Sequence, residues 1–171
     1  MAGSLILLDT ETASNSSSVT VTGMVSGFDV FRLDIINAVP QTDGIDLRFR
    51  FTESGTPNET ANYDRASNFM RTASSYGALS GTNATYGGAG AFIGNATGEG
   101  HSSLRYIFNS QNASKYTMMT KEITQVANSG ELSGEQGADM LTVNSVVNGV
   151  QFFMGSGNIT SGVFKLYAIK N

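Results

Sequence analysis

Apolar and polar residues alternate along much of this chain. The sharpest alternation is Asp46-Leu47-Arg48-Phe49-Arg50-Phe51-Thr52, which sends Leu47, Phe49 and Phe51 to one side and both arginines to the other. A repeat of two is the repeat of a β-strand, so the segment predicts a strand with one buried face and one wet face. Ser18-Val19-Thr20-Val21-Thr22 carries the same pattern with β-branched residues, which pack well on a pleated surface. Phe31, Leu33 and Ile35 alternate with Arg32 and Asp34, and near the far end Phe164, Leu166 and Ala168 alternate with Lys165 and Tyr167. Runs at 5–9, 91–94, 102–109, 116–126, 140–147 and 150–154 predict further strands. Turn residues fill the gaps: Ser26-Gly27, Asp43-Gly44, Ser54-Gly55, Ser129-Gly130 and Gly155-Ser156-Gly157. Asn148-Gly149, set between two apolar runs, predicts a two-residue hairpin, because both residues tolerate positive φ.

Roughly ten short strands with turn signals between them predict an all-β fold, a single antiparallel jelly-roll-like β-sandwich of about 8–10 strands. One such domain fills residues 1–171, and no boundary or internal repeat divides it. Two stretches read less clearly. Residues 61–75 fit either a turn or two of helix or a long irregular strand. Residues 74–101 hold eight glycines and read as a long surface loop or as close backbone packing, including packing against another subunit.

Composition narrows the class. Ser, Thr, Asn and Gly supply 71 of 171 residues, and charged residues only 14%, against about 25% in an ordinary soluble domain. With 40% of the chain hydrophobic, there is still enough apolar surface to fold. The net charge of −4 argues against a nucleic-acid surface. No cysteine is present, so neither disulfides nor thiolate ligands enter. The first apolar run, Leu5 to Leu8, has no basic residue before it and is too short for a signal peptide or a spanning helix, so no membrane insertion is expected.

The search for chemistry yields little. His101 is the one imidazole. It cannot build a multi-histidine metal site, and any Ser-His-Asp arrangement would have to use it. No Gly-x-Ser-x-Gly elbow accompanies it, so it reads as a partly exposed loop or strand-edge residue. Asp43, Asp46 and Glu53 are the carboxylates a glycosidase would draw on, and Asp29, Asp34, Asp43 and Asp46 offer oxygens to a Ca²⁺ ion. Their spacing matches no loop motif, and they read as strand-end and turn residues. Neither a P-loop nor a Gly-x-Gly-x-x-Gly turn appears, so no nucleotide, cofactor or metal is expected. Six Asn-x-Ser/Thr triplets occur, where composition alone gives about three. Tyr63, Tyr76, Tyr86, Tyr106, Tyr116 and Tyr167 stand among Asn, Ser and Gly, the mix of sugar-binding and protein-binding surfaces. Tyr63, Tyr76, Tyr86 and His101 are the candidate contacts to a partner or glycan.

Three runs carry a likeness to a known family. They are Leu7-Leu8-Asp9-Thr10-Glu11-Thr12-Ala13-Ser14-Asn15 onward to Val19, Phe28-Asp29-Val30-Phe31-Arg32-Leu33 with 36–49, and Ser156-Gly157-Asn158-Ile159-Thr160-Ser161-Gly162-Val163-Phe164 onward to Ile169. Together they resemble the small jelly-roll-like β-sandwich modules of tailed-bacteriophage virion proteins, of the decoration and tail-fibre type. The resemblance implies a place on the outer surface of a phage particle, synthesis in the host cytoplasm, a homotrimer or larger assembly, and contacts with other virion proteins. It brings no catalytic motif. With no heptads or fibre segment beside the strands, the expectation is a stand-alone accessory: a non-enzymatic structural protein acting by subunit packing. The alternative is a carbohydrate- or receptor-binding module that holds a host surface glycan.

Overall fold

A computed structural model describes residues 4–73 and 76–170 of the chain. Among them there are thirteen strands and no helix. These are β1 (Ser4–Ser16), β2 (Val19–Thr22), β3 (Val30–Pro40), β4 (Ile45–Glu53), β5 (Thr56–Pro57), β6 (Tyr63–Arg71), β7 (Tyr76–Ala84), β8 (Gly87–Ile93), β9 (Gly100–Phe108), β10 (Tyr116–Val126), β11 (Leu132–Asn144), β12 (Gly149–Met154) and β13 (Ile159–Lys170).

All pairings are antiparallel and they build two sheets. The larger runs β1-β13-β3-β9-β10-β11-β6-β7; the smaller runs β2-β12-β4-β5, with β8 also on β4. The first strand pairs with the last, and the second with the last but one. In this nesting β1-β13-β3-β9 faces β2-β12-β4-β8, which is the jelly-roll order. Four more strands, β10, β11, β6 and β7, extend the larger sheet on its far side.

The alternating segments place the core. Leu47, Phe49 and Phe51 of β4 and Phe152 of β12 are fully buried and meet Phe31, Leu33, Phe164 and Leu166 from the larger sheet. The Phe152 and Phe164 rings lie 5.2 Å apart across the two sheets, and Phe49 meets Tyr63 edge-on at 6.0 Å. Burying each such ring is worth about 3 kcal/mol, so the aromatic contacts set how the sheets face one another. Tyr63 seals this core rather than lining a surface. Its oxygen accepts from the Phe51 N–H at 2.9 Å and its hydroxyl donates to the Asn58 carbonyl at 3.1 Å. Burial pushes its phenol well above the usual value.

One reading of the sequence needs correction, and two that left alternatives open are decided among the described residues. Asn148-Gly149 is not a hairpin, because β11 lies in the larger sheet and β12 in the smaller. Asn148 is the crossing point: its carbonyl accepts from Gly23 and Met24, its N–H donates to Thr52, and its side chain accepts from the Thr52 hydroxyl. Residues 63–71 are strand, with no helical turn. Most of the glycine-rich stretch is strand as well, as β7 and β8, and β8 shows why it is glycine-rich. A Cβ at Gly87 would overlap the Phe49 ring, and one at Gly90 (φ 155°) would come within 2.7 Å of His101 Nδ1. The close-packing reading of that stretch therefore describes it, and the packing is within the chain.

Candidate functional site

Where the larger sheet continues past β9, the residues on its inner face change character. In register across it stand Leu33 of β3, Arg105 of β9, Lys121 of β10, Gly137 of β11, Ser67 of β6 and Leu79 of β7. Glu135 and Asp139 flank Gly137 on the same strand, so they sit diagonally beside Lys121 on one face. All four charged groups are buried. Arg105 and Lys121 stand directly opposite each other, an arrangement that is unfavourable on its own; the two carboxylates balance it and leave the cluster neutral.

Strand β8 covers this cluster, and with Gly-Gly-Ala-Gly-Ala in sequence it has almost no side chains to fill the space. Long polar side chains from below reach its backbone. Lys121 Nζ donates to the Gly88 carbonyl at 3.1 Å while pairing with Glu135 Oε1 at 2.9 Å and lying 3.3 Å from Asp139 Oδ2. The Gly88 N–H donates to Asp139 Oδ1 at 2.9 Å. Arg105 Nη2 donates to the Ala89 carbonyl at 2.7 Å, and Gln125 Nε2 donates to that of Ala91. Burial lowers the Arg105 guanidinium to about 10, against the upward pull of Asp139 and Glu135, so it stays charged near neutrality.

His101 belongs to this network, which corrects its reading as a partly exposed edge residue. It is fully enclosed, with Nδ1 3.0 Å from Gln125 Oε1 and Nε2 3.0 Å from Ser103 Oγ. Because the Gln125 amide nitrogen faces Ala91, its oxygen faces the ring, which assigns the proton to Nδ1 and makes Nε2 the acceptor of the Ser103 hydroxyl. Ser103 in turn accepts from Arg105 Nε at 3.3 Å. Burial, and then the Arg105 charge, push the imidazole down to about 3, so it is neutral in the folded chain.

A crevice of about 180 Å³ opens over the cluster, between Arg48, Arg65, Tyr86, Gly88, Lys121 and Glu135. A larger groove of about 670 Å³ crosses the outer face of the larger sheet, lined among others by Arg32, Asp34, Asn68, Tyr76, Glu122 and Gln136. Asp34 holds Arg32 through two hydrogen bonds, at 2.8 and 3.1 Å, and keeps its guanidinium pKa raised. Tyr76, at 72% exposure, stands at this groove.

The four predicted contact residues therefore do not form one site. Tyr76 is on the outer groove. Tyr86 is half-buried at the crevice, under the Arg48 guanidinium at 4.2 Å and edge-on to Phe153. Tyr63 and His101 are interior. Asp43 accepts from the Asn95 N–H, Asp46 lies 3.9 Å from Arg48, and Glu53 accepts from Asn58 and Ser145, all in turn and strand-end roles. Among the described residues, no group of three or more His, Asp or Glu side chains is placed to hold a metal ion. Lys121, Glu135, Asp139 and Arg105 escaped the sequence reading. Their signal was phase: Lys121 alternates in step with Met119 and Ile123, and Asp139 with Leu141.

No family model matches the chain, and no curated protein matches it. Among solved structures, a fructofuranosidase variant from Schwanniomyces occidentalis complexed with fructosylnystose is similar at 9% identity and a TM-score of 0.26. The match covers 98% of this chain and 34% of that one, so the chain spans about a third of the other protein's length. At that TM-score the likeness carries no argument about fold or activity.

Because His101 is neutral when folded and titrates near 6.5 when unfolded, the unfolded chain binds the extra proton below that pH. Stability is fully present above pH 6.5 and falls as the pH drops toward 3, by up to about 1.4 kcal/mol per pH unit. Denaturant unfolding of the wild type from pH 6.5 to about pH 5 will show that slope, ahead of most carboxylate titration. In His101→Gln it will be missing; an unchanged slope contradicts the buried neutral ring.

Proposed function

We propose that this protein is a non-enzymatic structural subunit, and that it works by packing against copies of itself. Edge strand β1 is the observation that carries the reading. It is thirteen residues long, and its outer edge pairs with no strand among the described residues. Leu5, Ile6 and Leu7 are exposed at 47%, 37% and 55% in a stretch that has no charge before Asp9. A long free edge with an uncharged apolar stretch at one end is a template for another chain, and isolated domains ordinarily blunt such edges with lysine, proline or a bulge. The bulge here falls at Leu8, the last residue of the apolar run, and leaves Leu5, Ile6 and Leu7 in regular register with β13. The resemblance to tailed-phage virion modules supplies the setting: a homotrimeric accessory on the particle surface, touching other virion proteins through neutral hydroxyl and amide groups.

Sedimentation velocity tests the packing. The wild type is expected as an oligomer, three copies on the virion reading, and Leu5→Lys with Leu7→Lys is expected to release the 18.0 kDa chain. A monomeric wild type, or an oligomer untouched by both lysines, would overturn the β1 interface.

The outer groove favours a second reading, a module binding a glycan of a host surface. Tyr76 offers an exposed ring beside Arg32, Asp34, Asn68, Glu122 and Gln136, an aromatic face next to polar groups that suit sugar hydroxyls. Host envelope polysaccharide should then bind the wild type at least about tenfold tighter than Tyr76→Ala, a loss of about 1.4 kcal/mol. Equal retention of both proteins, or of neither, removes this reading.

A further inference from the structure

We propose that Lys121 and Asp139 condense to an intramolecular isopeptide bond, with Glu135 as the proton carrier. The observation behind it is a buried amine held against a carboxyl group whose two oxygens are treated differently. Asp139 Oδ1 accepts from the Gly88 N–H at 2.9 Å. Asp139 Oδ2 is fully enclosed, makes no hydrogen bond, and has Lys121 Nζ 3.3 Å away. Cγ is one bond from that oxygen, so it lies no more than about 4.5 Å from the nitrogen, and a small side-chain shift brings the pair to the roughly 3–3.5 Å of a near-attack arrangement. Glu135 Oε1 sits 2.9 Å from the same nitrogen. The side chains of Lys121 and Asp139 are 2% and 0% exposed, which keeps competing water away from the reacting atoms.

The parts match the needs of amide formation. Nζ loses a proton to Glu135 and, as a neutral amine, attacks Cγ of protonated Asp139, forming the N–C bond. Negative charge then develops on Oδ1, where the Gly88 N–H already points. Oδ2 departs as water when the C–O bond breaks. Of the three ammonium protons, two reach Oδ2 by way of Glu135 and leave in that water, and the third stays on the amide nitrogen. Glu135 ends as the carboxylate it began as, and no oxidant or other reactant is consumed.

The electrostatics favour the product. Two cations and two carboxylates are buried together, each carrying a desolvation cost. Condensation removes one of each sign, so Arg105 and Glu135 remain as a balanced pair. The bond would tie β10 to β11 beneath β8, where Lys121 stands opposite Gly137 and Asp139 lies two residues further along β11. A simple buried ion pair predicts the same distances, so the test must read the covalent bond itself.

Intact mass of the folded, purified wild type reads it directly. The expected mass lies about 18 Da below the sequence mass, the loss of one water, and fragmentation should give one branched peptide joining the Lys121 and Asp139 segments. Glu135→Gln should return to the full sequence mass while its circular dichroism remains that of a β-protein. Asp139→Asn keeps the shape of the site and should lose ammonia, about 17 Da, in place of water. A folded wild type of full sequence mass overturns the proposal, as does a water loss confined to a single unbranched peptide.

Discussion

A strand that is nearly all backbone closes one end of this sandwich, and side chains of the opposite sheet hold it there. Strand β8 pairs with β4 along one side, while Lys121, Arg105, Gln125 and Asp139 bond its Gly88, Ala89 and Ala91 backbone from below. Buried peptide groups need partners, and these four side chains do the work of a neighbouring strand. The arrangement constrains both sides. Bulk on β8 would collide with Phe49 and His101, and loss of one charge from the cluster would leave its partner buried and uncompensated, a cost of about 3–5 kcal/mol.

This constraint separates two kinds of interior between the same two sheets. Beneath β2, β12 and β4 the interior is aromatic and aliphatic, and Phe49, Phe152, Phe164 and Tyr63 bring the sheets together. Beneath β8 it is a neutral cluster of charges joined to a hydrogen-bonded chain from Arg105 through Ser103 and His101 to Gln125. Polar interiors of this kind specify one arrangement, because every donor has a particular acceptor. The larger sheet can therefore run four strands past the jelly-roll core. Its outer face carries the groove at Tyr76, and at the end opposite β7 the outer edge of β1 pairs with no strand among the described residues.

Much of the fold was legible in the sequence wherever side chains alternate. Strand β10 occupies Tyr116–Val126, the run its alternation marks, and β4 differs from its predicted run by one residue at each end. Alternation requires side chains, so the run at 91–94 marked only the last residues of β8, while its Gly87, Gly88, Ala89 and Gly90 gave no such signal and read as loop or packing. Asn148-Gly149 has the composition of a hairpin turn, but the local sequence does not say that the strands on either side belong to different sheets. The candidate site was hidden for another reason. Lys121, Glu135 and Asp139 look like solvated charges unless their phase with Met119, Ile123 and Leu141 is followed, and His101 shows its burial only when β8 is laid over it.

The central claim is that β8 is held by side chains of the larger sheet, and amide hydrogen exchange at Gly88 tests it most directly. Its N–H is donated to the buried Asp139 carboxylate, so it should exchange only with global opening, alongside the Phe51 amide in the core. Exchange of Gly88 at the rate of Gly27, in the exposed turn before β3, would contradict the account.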